Sequence, residues 1–534
     1  MSAFRTVTAI ARADFLERVR RYSFLLTLLF AVFLGYAAAT GRIALQLGEY
    51  RGVYTSAWIG ALVALTTNCF LSLVGFYVVK SAVDRDRQTG VGQILAATPL
   101  SKVAYTLGKF ASNFAVLSST VLVLAVCAIF MQLFAGEDPH FNGIALLAPF
   151  VLVALPSMAL TAGIAVLFET LPLLRGGLGN IAWFFVWSIL GIGLPEISGN
   201  HKIDPMGLMT IADSMMAGAR ANIPGYKDSF SFTIADTPVK IVHSFHWQGV
   251  SWTSEQIFLR AAWTAAAIVF ALLAALVFDR FDPSRSMAPS LRARKQSGQG
   301  SQGVDSAALA SSSPSQASSH TAVHLTPLVR RARSNAFFRI FSAELQLALK
   351  GLRWWWYVVA GLLVAQFVTP LEVARGLLLG GSWIWPVLIW SGMGARETRF
   401  GTRPLLFSSV GILSRQLPAC WIAGFLVTLL TGAGTVLRLA IAHDGNHLFG
   451  VLAGAVFVPS LALSLGVVSG SSKFFEGLYT FLWYVGPMNH TYGLDYTGAA
   501  SGPNVISVGL RYVAIAAGLC MAAYVFRARQ LRGN

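Results

Sequence analysis

The chain has 534 residues, of which 55% are hydrophobic and only 12% charged. Soluble domains carry about twice that charged fraction, so a soluble globular protein is excluded at the outset. A formal net charge of +17 would suit a nucleic-acid binder, but no basic domain stands apart from the apolar stretches, and that class is set aside as well.

A membrane-crossing helix needs about 20 apolar residues, because a rise of about 1.5 Å per residue must cover roughly 30 Å of hydrocarbon. On that criterion spans are expected near 22–39, 56–79, 106–134, 144–168, 177–194 and 257–278. A second set is expected near 354–369, 377–394, 417–437, 448–470, 477–487 and 506–526. Residues 354–369 and 477–487 are short for a crossing and suit re-entrant or tilted segments. Tyr22–Ala39 reads as a retained anchor, since no small-residue cleavage site follows it. The expected fold class is therefore an all-α integral membrane protein of about twelve transmembrane helices. Residues 1–284 and 335–534 form two six-helix halves. An even number of spans returns each half to its starting side, which makes the halves parallel repeats.

Arg285–Lys295 is basic and 296–320 is dominated by Ser, Gln, Gly and Ala. Too little apolar surface is available there to offset ordering entropy, so 285–334 is expected to be a disordered cytoplasmic linker. An amphipathic element precedes the first span of each half. Phe4, Val7, Ala11, Phe15 and Val19 recur at helical spacing, as do Phe337, Ile340, Phe341, Leu345 and Ala348. With basic flanks, each fits a helix lying in the inner interface.

With the N-terminus placed inside, the internal segments hold 29 of the 40 Lys and Arg residues but only 11 of the 23 acids. Basic residues set orientation and acids contribute little. The expected location is the bacterial cytoplasmic (inner) membrane, with both termini cytoplasmic and anionic lipids as the electrostatic partner. Residues 195–256 form the one large external segment, a candidate docking site for a periplasmic partner. His201, His243 and His246 fall there, but without an HExxH or comparable pattern they read as solvated loop histidines. Cys69, Cys127, Cys420 and Cys520 lie in expected spans without CxxC spacing and read as packing residues. Tryptophans such as Trp383 and Trp385 read mainly as interfacial belts.

Two charged loops carry the strongest pattern. The first contains Asp86, Gly90, Leu95, Pro99, Ser101 and Lys102; the second contains Glu397, Gly401, Thr402, Leu406, Ser414 and Arg415. In both, an acid precedes a glycine by four residues and a Ser-basic pair precedes the next span. This arrangement resembles the permease subunits of ABC-2 type transporters, which carry an acid, Gly-Thr, a leucine, a proline and Ser-Arg or Ser-Lys between their second and third spans. Val91 replaces the usual threonine in the first loop. In the second, Val410 falls where the proline is expected and the Ser-basic pair sits two residues late.

The resemblance implies a transport subunit, not an enzyme, whose loops dock on ATP-binding-cassette ATPase subunits in two copies. The chain has no Gly-x-x-x-x-Gly-Lys-Ser/Thr phosphate loop, so ATP is expected on those partners, with no cofactor here. Export of an amphiphilic or lipid-like substrate follows from the resemblance. The alternatives are a membrane-embedded lipid-modifying enzyme, which lacks a convincing His or acid constellation, and a secondary carrier. The carrier is disfavoured because no acid sits mid-span; Glu169 and Glu476 fall near span ends.

Overall fold

The computed structural model describes residues 3–235, 237–239, 243–281, 336–350, 355–409, 411–498 and 504–532. The expected linker 285–334 lies outside them, as does Val410. The described chain is mostly helical, about 75%. Its elements run α1 (Ala3–Val19), α2 (Tyr22–Ala39), β1 (Ile43–Gln46), β2 (Tyr50–Gly52), α3 (56–79), α4 (Ala82–Gln88), α5 (Val91–Ala97), α6 (Lys102–Ala135), α7 (Gly143–Thr170), α8 (Gly179–Ser198) and α9 (Leu208–Asn222). β3 (Ser231–Ile234), β4 (His243–Phe245) and α10 (Ser254–Val277) complete the N-terminal part. The C-terminal part holds α11 (Ala336–Leu349), α12 (Trp355–Val368), the interrupted α13 (371–390), α14 (Arg396–Arg399), α15 (Arg403–Phe407), α16 (Ile412–Thr431), α17 (Ala433–Ile441), α18 (Gly445–Ser469), α19 (Ser472–Trp483) and α20 (Val505–Arg532).

Among the described residues, nine helices are long and apolar enough to cross a membrane: α2, α3 continued through α4, α6, α7, α8, α10, α16, α18 and α20. All six expected in the N-terminal part are among them. Only three of the six spans expected in the C-terminal part are among them: the segments near 354–369 and 477–487 are short, as the sequence suggested, and the one near 377–394 is interrupted. α12 has 14 residues, about 20 Å of helix against roughly 30 Å of hydrocarbon. α13 is broken by a π turn at Ala374–Leu378 and a bend before Val387. α19 has 12 residues and runs into a π turn at Tyr484–Met488.

Helices that begin at one end start behind polar caps. The side chains of Thr55, Asn142, Thr253 and Asp444 accept the backbone N–H groups of Trp58, Ala145, Gln256 and His447. Each cap satisfies one of the backbone donors that the first turn of a helix leaves without an intrahelical partner. At that end β1 pairs antiparallel with β3 and β2 pairs parallel with β4, stitching 40–55 to the segment between α8 and α10 as a small cap. We call this the cap end, and the opposite end, which carries α1, α4, α5, α11, α14 and α15, the loop end.

Further π turns occupy Thr67–Leu71 in α3, Phe150–Ala154 in α7, Ile189–Gly193 in α8 and Ile412–Gln416 in α16. Pro156, Pro195 and Pro418 each follow a π turn by two residues. A proline offers no N–H to the carbonyl four residues back and crowds it. That carbonyl lies inside the π turn in all three cases, so the helix widens where its ladder is broken.

α1 packs on α6 and α11 packs on α16; α7 packs on α10 and α18 on α20. The two parts meet where α19 inserts against α3 and α8. Phe481 touches Phe30 and Phe70, with ring centroids 5.2 and 5.0 Å apart, and Trp483 and Tyr484 meet Phe184. Trp383, expected in an interfacial belt, is instead fully buried and stacks on Tyr496; an indole inside the bundle gains dispersion contacts on both faces.

Candidate functional site

The first charged loop is a pair of short helices hinged at Gly90, whose φ of +77° lies in the left-handed region that glycine enters without penalty. α4 is held from three directions. At its start, the buried Glu169 carboxylate on α7 accepts the backbone N–H groups of Ala82, Val83 and Asp84, which satisfies helix-start donors and places a negative charge at the positive end of the dipole. On its inner face, Asp86 accepts from Tyr105 Oη at 2.7 Å and pairs with Lys109 Nζ at 2.8 Å. At its far end, Arg87 pairs with Asp279 beyond α10 at 2.7 Å.

Lys109 also reaches Asp14 of α1 at 2.9 Å, so one ammonium bridges the loop acid and the acid of α1. Asp14 further binds Arg18 at 2.9 Å, Arg85 and Ser112. Burial works to raise the Asp14 carboxyl, but Arg18, Lys109 and Arg85 outweigh it and hold it well below the usual carboxylate range. α1 therefore turns Asp14 and Arg18 inward on α6, while Phe4 faces out.

The C-terminal part repeats the geometry with different residues. α14 and α15 are hinged at Gly401, φ +66°. Gln416 Nε2 lies 3.3 Å from Glu397 Oε1 and 3.5 Å from Glu344 of α11, bridging the loop acid and the acid of α11 as Lys109 bridges those of the first loop and α1. Arg396, one residue before Glu397, pairs with Glu344 at 3.0 Å, as Arg85 before Asp86 pairs with Asp14. Arg527 near the end of α20 lies 3.4 Å from Glu397. This second set has fewer cations, and burial pushes the Glu344 carboxyl above its usual range despite Arg396.

Of the other residues singled out from the sequence, Leu95 anchors α5 against Tyr105 and Phe278, and Pro99 is exposed in the turn that follows. Ser101 caps α6 by accepting from Ala104 N at 3.1 Å, and Lys102 opens that helix. Thr402 donates its backbone N–H to the Glu397 carbonyl at 3.0 Å. Ser414 and Arg415 do not reproduce Ser101 and Lys102. They sit exposed inside the π turn that opens α16, and Gly411, φ +90°, precedes that turn. The extra residues of this loop are absorbed by the wider turn.

Sequence reasoning missed Asp14, Arg18, Arg85, Lys109, Glu344, Arg396, Gln416 and Arg527. The usable signal was the arginine directly before each loop acid, Arg85-Asp86 and Arg396-Glu397. A second recurrence also went unread. Asp204-Pro-Met-Gly207 and Asp495-Tyr-Thr-Gly498 both precede the last long helix of their part and both turn inward at the cap end. Asp204 and Asp495 are buried, and both glycines have left-handed φ, +72° and +69°. Arg260 is the seventh residue of α10 and Arg511 the seventh of α20.

Loop and seam are joined at the loop end. Lys80 Nζ donates to the Leu174 carbonyl and to Asn180 Oδ1, both at 2.8 Å; Asn180 donates to Glu476, which also pairs with Lys473 at 3.2 Å. Asn180 and Glu476 stand near the starts of α8 and α19 and connect the two parts. His243 packs its ring on Tyr50 at 5.3 Å, and His201 is in contact with Asp213. Among the described residues no group of three His, Cys, Asp or Glu side chains gathers as metal ligands. Comparison of the chain with known protein families, characterised proteins and solved structures finds no match.

Proposed function

We propose that this chain is the membrane-spanning permease subunit of an ABC-2 type ATP-driven transporter, with twelve spans in two parallel six-helix repeats. The observation that carries the reading is the duplicated loop. In each part an interfacial-helix acid, a loop arginine, a loop acid and a bridging side chain at the start of the next helix tie three elements into one body. Elements tied this way move together, so a push on either loop reaches the interfacial helix and the following span at once. The matching pairs α1 with α6 and α11 with α16, and α7 with α10 and α18 with α20, support a repeat. In this reading α12, α13 and α19 are shortened or interrupted spans.

The loop end faces the cytoplasm, in keeping with the bias of Lys and Arg, and the chain sits in the bacterial inner membrane. Its partners are two copies of a separate ATPase subunit, which bind the ATP. Ile94 on α5 and Leu405 on α15 project outward at 68% and 76% exposure, an apolar contact point on each loop. The cargo is an amphiphilic or lipid-like molecule and the direction is export. Gentle extraction from native membranes and affinity isolation tests the assignment. A phosphate-loop ATPase recovered at about two copies per chain is the expected result; a chain that isolates reproducibly without one would refute it.

A further inference from the structure

The inward turn Asp204–Gly207 lies where three distorted helices converge. Asn68 in the π turn of α3 donates its side-chain amide to the Met206 carbonyl. Gly207 is pressed on Val153 in the π turn of α7, so closely that a Cβ there would lie 2.3 Å from the valine side chain. A Cβ on Gly191, in the π turn of α8, would stand 3.4 Å from Met206 Sδ. Ser157 adds a hydrogen bond to the Pro205 carbonyl at 3.3 Å. Every π turn described in the N-terminal part thus touches this one turn of the cap segment.

A single charged pair holds it. Arg260 of α10 donates to the Asp204 carbonyl at 2.5 Å, lies 3.5 Å from its carboxylate and also donates to Thr210, which itself donates to that carboxylate from N and Oγ1 at 2.9 and 3.0 Å. Asp204 is fully buried and Arg260 nearly so. The seated state is not fully satisfied: Asp204 Oδ1, Asn68 Oδ1 and Arg260 Nε are buried and make no hydrogen bond. Buried polar atoms without partners oppose the state that contains them, and a buried ion pair offsets its own desolvation only in part. Water entering at the cap end would satisfy all three atoms. In the corresponding turn of the C-terminal part, Asp495 accepts from Thr497 N and Oγ1 at 2.9 and 2.5 Å. Tyr496 is enclosed by the rings of Trp383, Phe457, Tyr479 and Tyr512, and Gly498 lies against Gly450.

We propose that Asp204 and Arg260 form a latch that keeps the Asp204–Gly207 turn seated among the three π turns, and that its release opens the cap end of the N-terminal part to water. The latch goes beyond the transport reading and does not depend on an ATPase. The test uses the full chain in detergent micelles with its four cysteines replaced and Met206→Cys as the probe. With the latch intact, a hydrophilic maleimide labels this position slowly. Arg260→Gln raises the rate at least tenfold, while a control cysteine at buried Leu117 stays protected. An unchanged rate in Arg260→Gln overturns the latch. Should the control also become reactive, Thr210→Val decides, because it removes only the hydroxyl shared by the pair: faster labelling at Met206→Cys alone supports the latch, and an unaltered rate overturns it. Since the readout needs neither nucleotide nor cargo, failure of the latch and failure of the transport reading are separate results.

Discussion

Asp14 and Glu344 occupy corresponding places yet have opposite electrostatics. Asp14 is surrounded by Arg18, Arg85 and Lys109, and its carboxyl is held low. A depressed carboxylate contributes stability above its ordinary range, lost only as the pH falls through the lowered value. Glu344 is raised by burial, so its ionisation opposes folding and stability declines as the pH rises from the ordinary carboxylate range through the raised value. Asp14→Asn strands buried cations and should cost about 3–5 kcal/mol. Glu344→Gln, whose partner Arg396 reaches solvent, should cost less than about 1 kcal/mol and flatten the decline toward higher pH. Melting in detergent at pH 5 and pH 8 checks both, and equal losses for the two variants would show that the two sets are equivalent after all. Neither acid was legible as special from the sequence. Each stands on an ordinary amphipathic helix, and apart from Arg18 its partners lie dozens of residues away.

At the scale of elements, the glycine hinges separate conformational from steric demands. Gly90 and Gly207 both have left-handed φ, but nothing stands within 4 Å of a Cβ on Gly90, whereas one on Gly207 would collide with Val153. Gly90→Ala should therefore cost only the backbone penalty, about 1–2 kcal/mol, and leave the loop in place. Gly207→Ala should cost distinctly more, because the cap turn must also move. Comparing the two melting temperatures tests this, and a Gly207→Ala loss no greater than that of Gly90→Ala would contradict the seating of that turn. The six long helices of the N-terminal part were legible because each is a continuous apolar run. The C-terminal part was less so: hydropathy sees composition, while α13 bends at Pro386 and α19 ends in a π turn that holds Pro487. The prolines at 156, 195 and 418 marked three of the widened turns in advance, but that of α3 has no such marker.

At the scale of the whole molecule, two apolar clusters share a seam that is aromatic in its middle and closed by Lys80, Asn180, Glu476 and Lys473 at the loop end. The two charged loops stand at that same end, each bound to the helix that opens its part, α1 or α11, and to the next long helix. A force delivered at both loops would act on the seam from two sides, which is why the account needs two contacts on one kind of motor. The sequence made the loops visible through their glycines and acids; the charge bridges that make them rigid emerged only from the fold. The most direct measurement is photo-crosslinking in native membranes from unnatural residues at Ile94 and at Leu405, with the captured protein identified by mass spectrometry. The account predicts that both positions capture the same phosphate-loop ATPase from the cytoplasmic side. Capture of no ATPase from either position, or labelling of Ile94 from the outer surface, would contradict it.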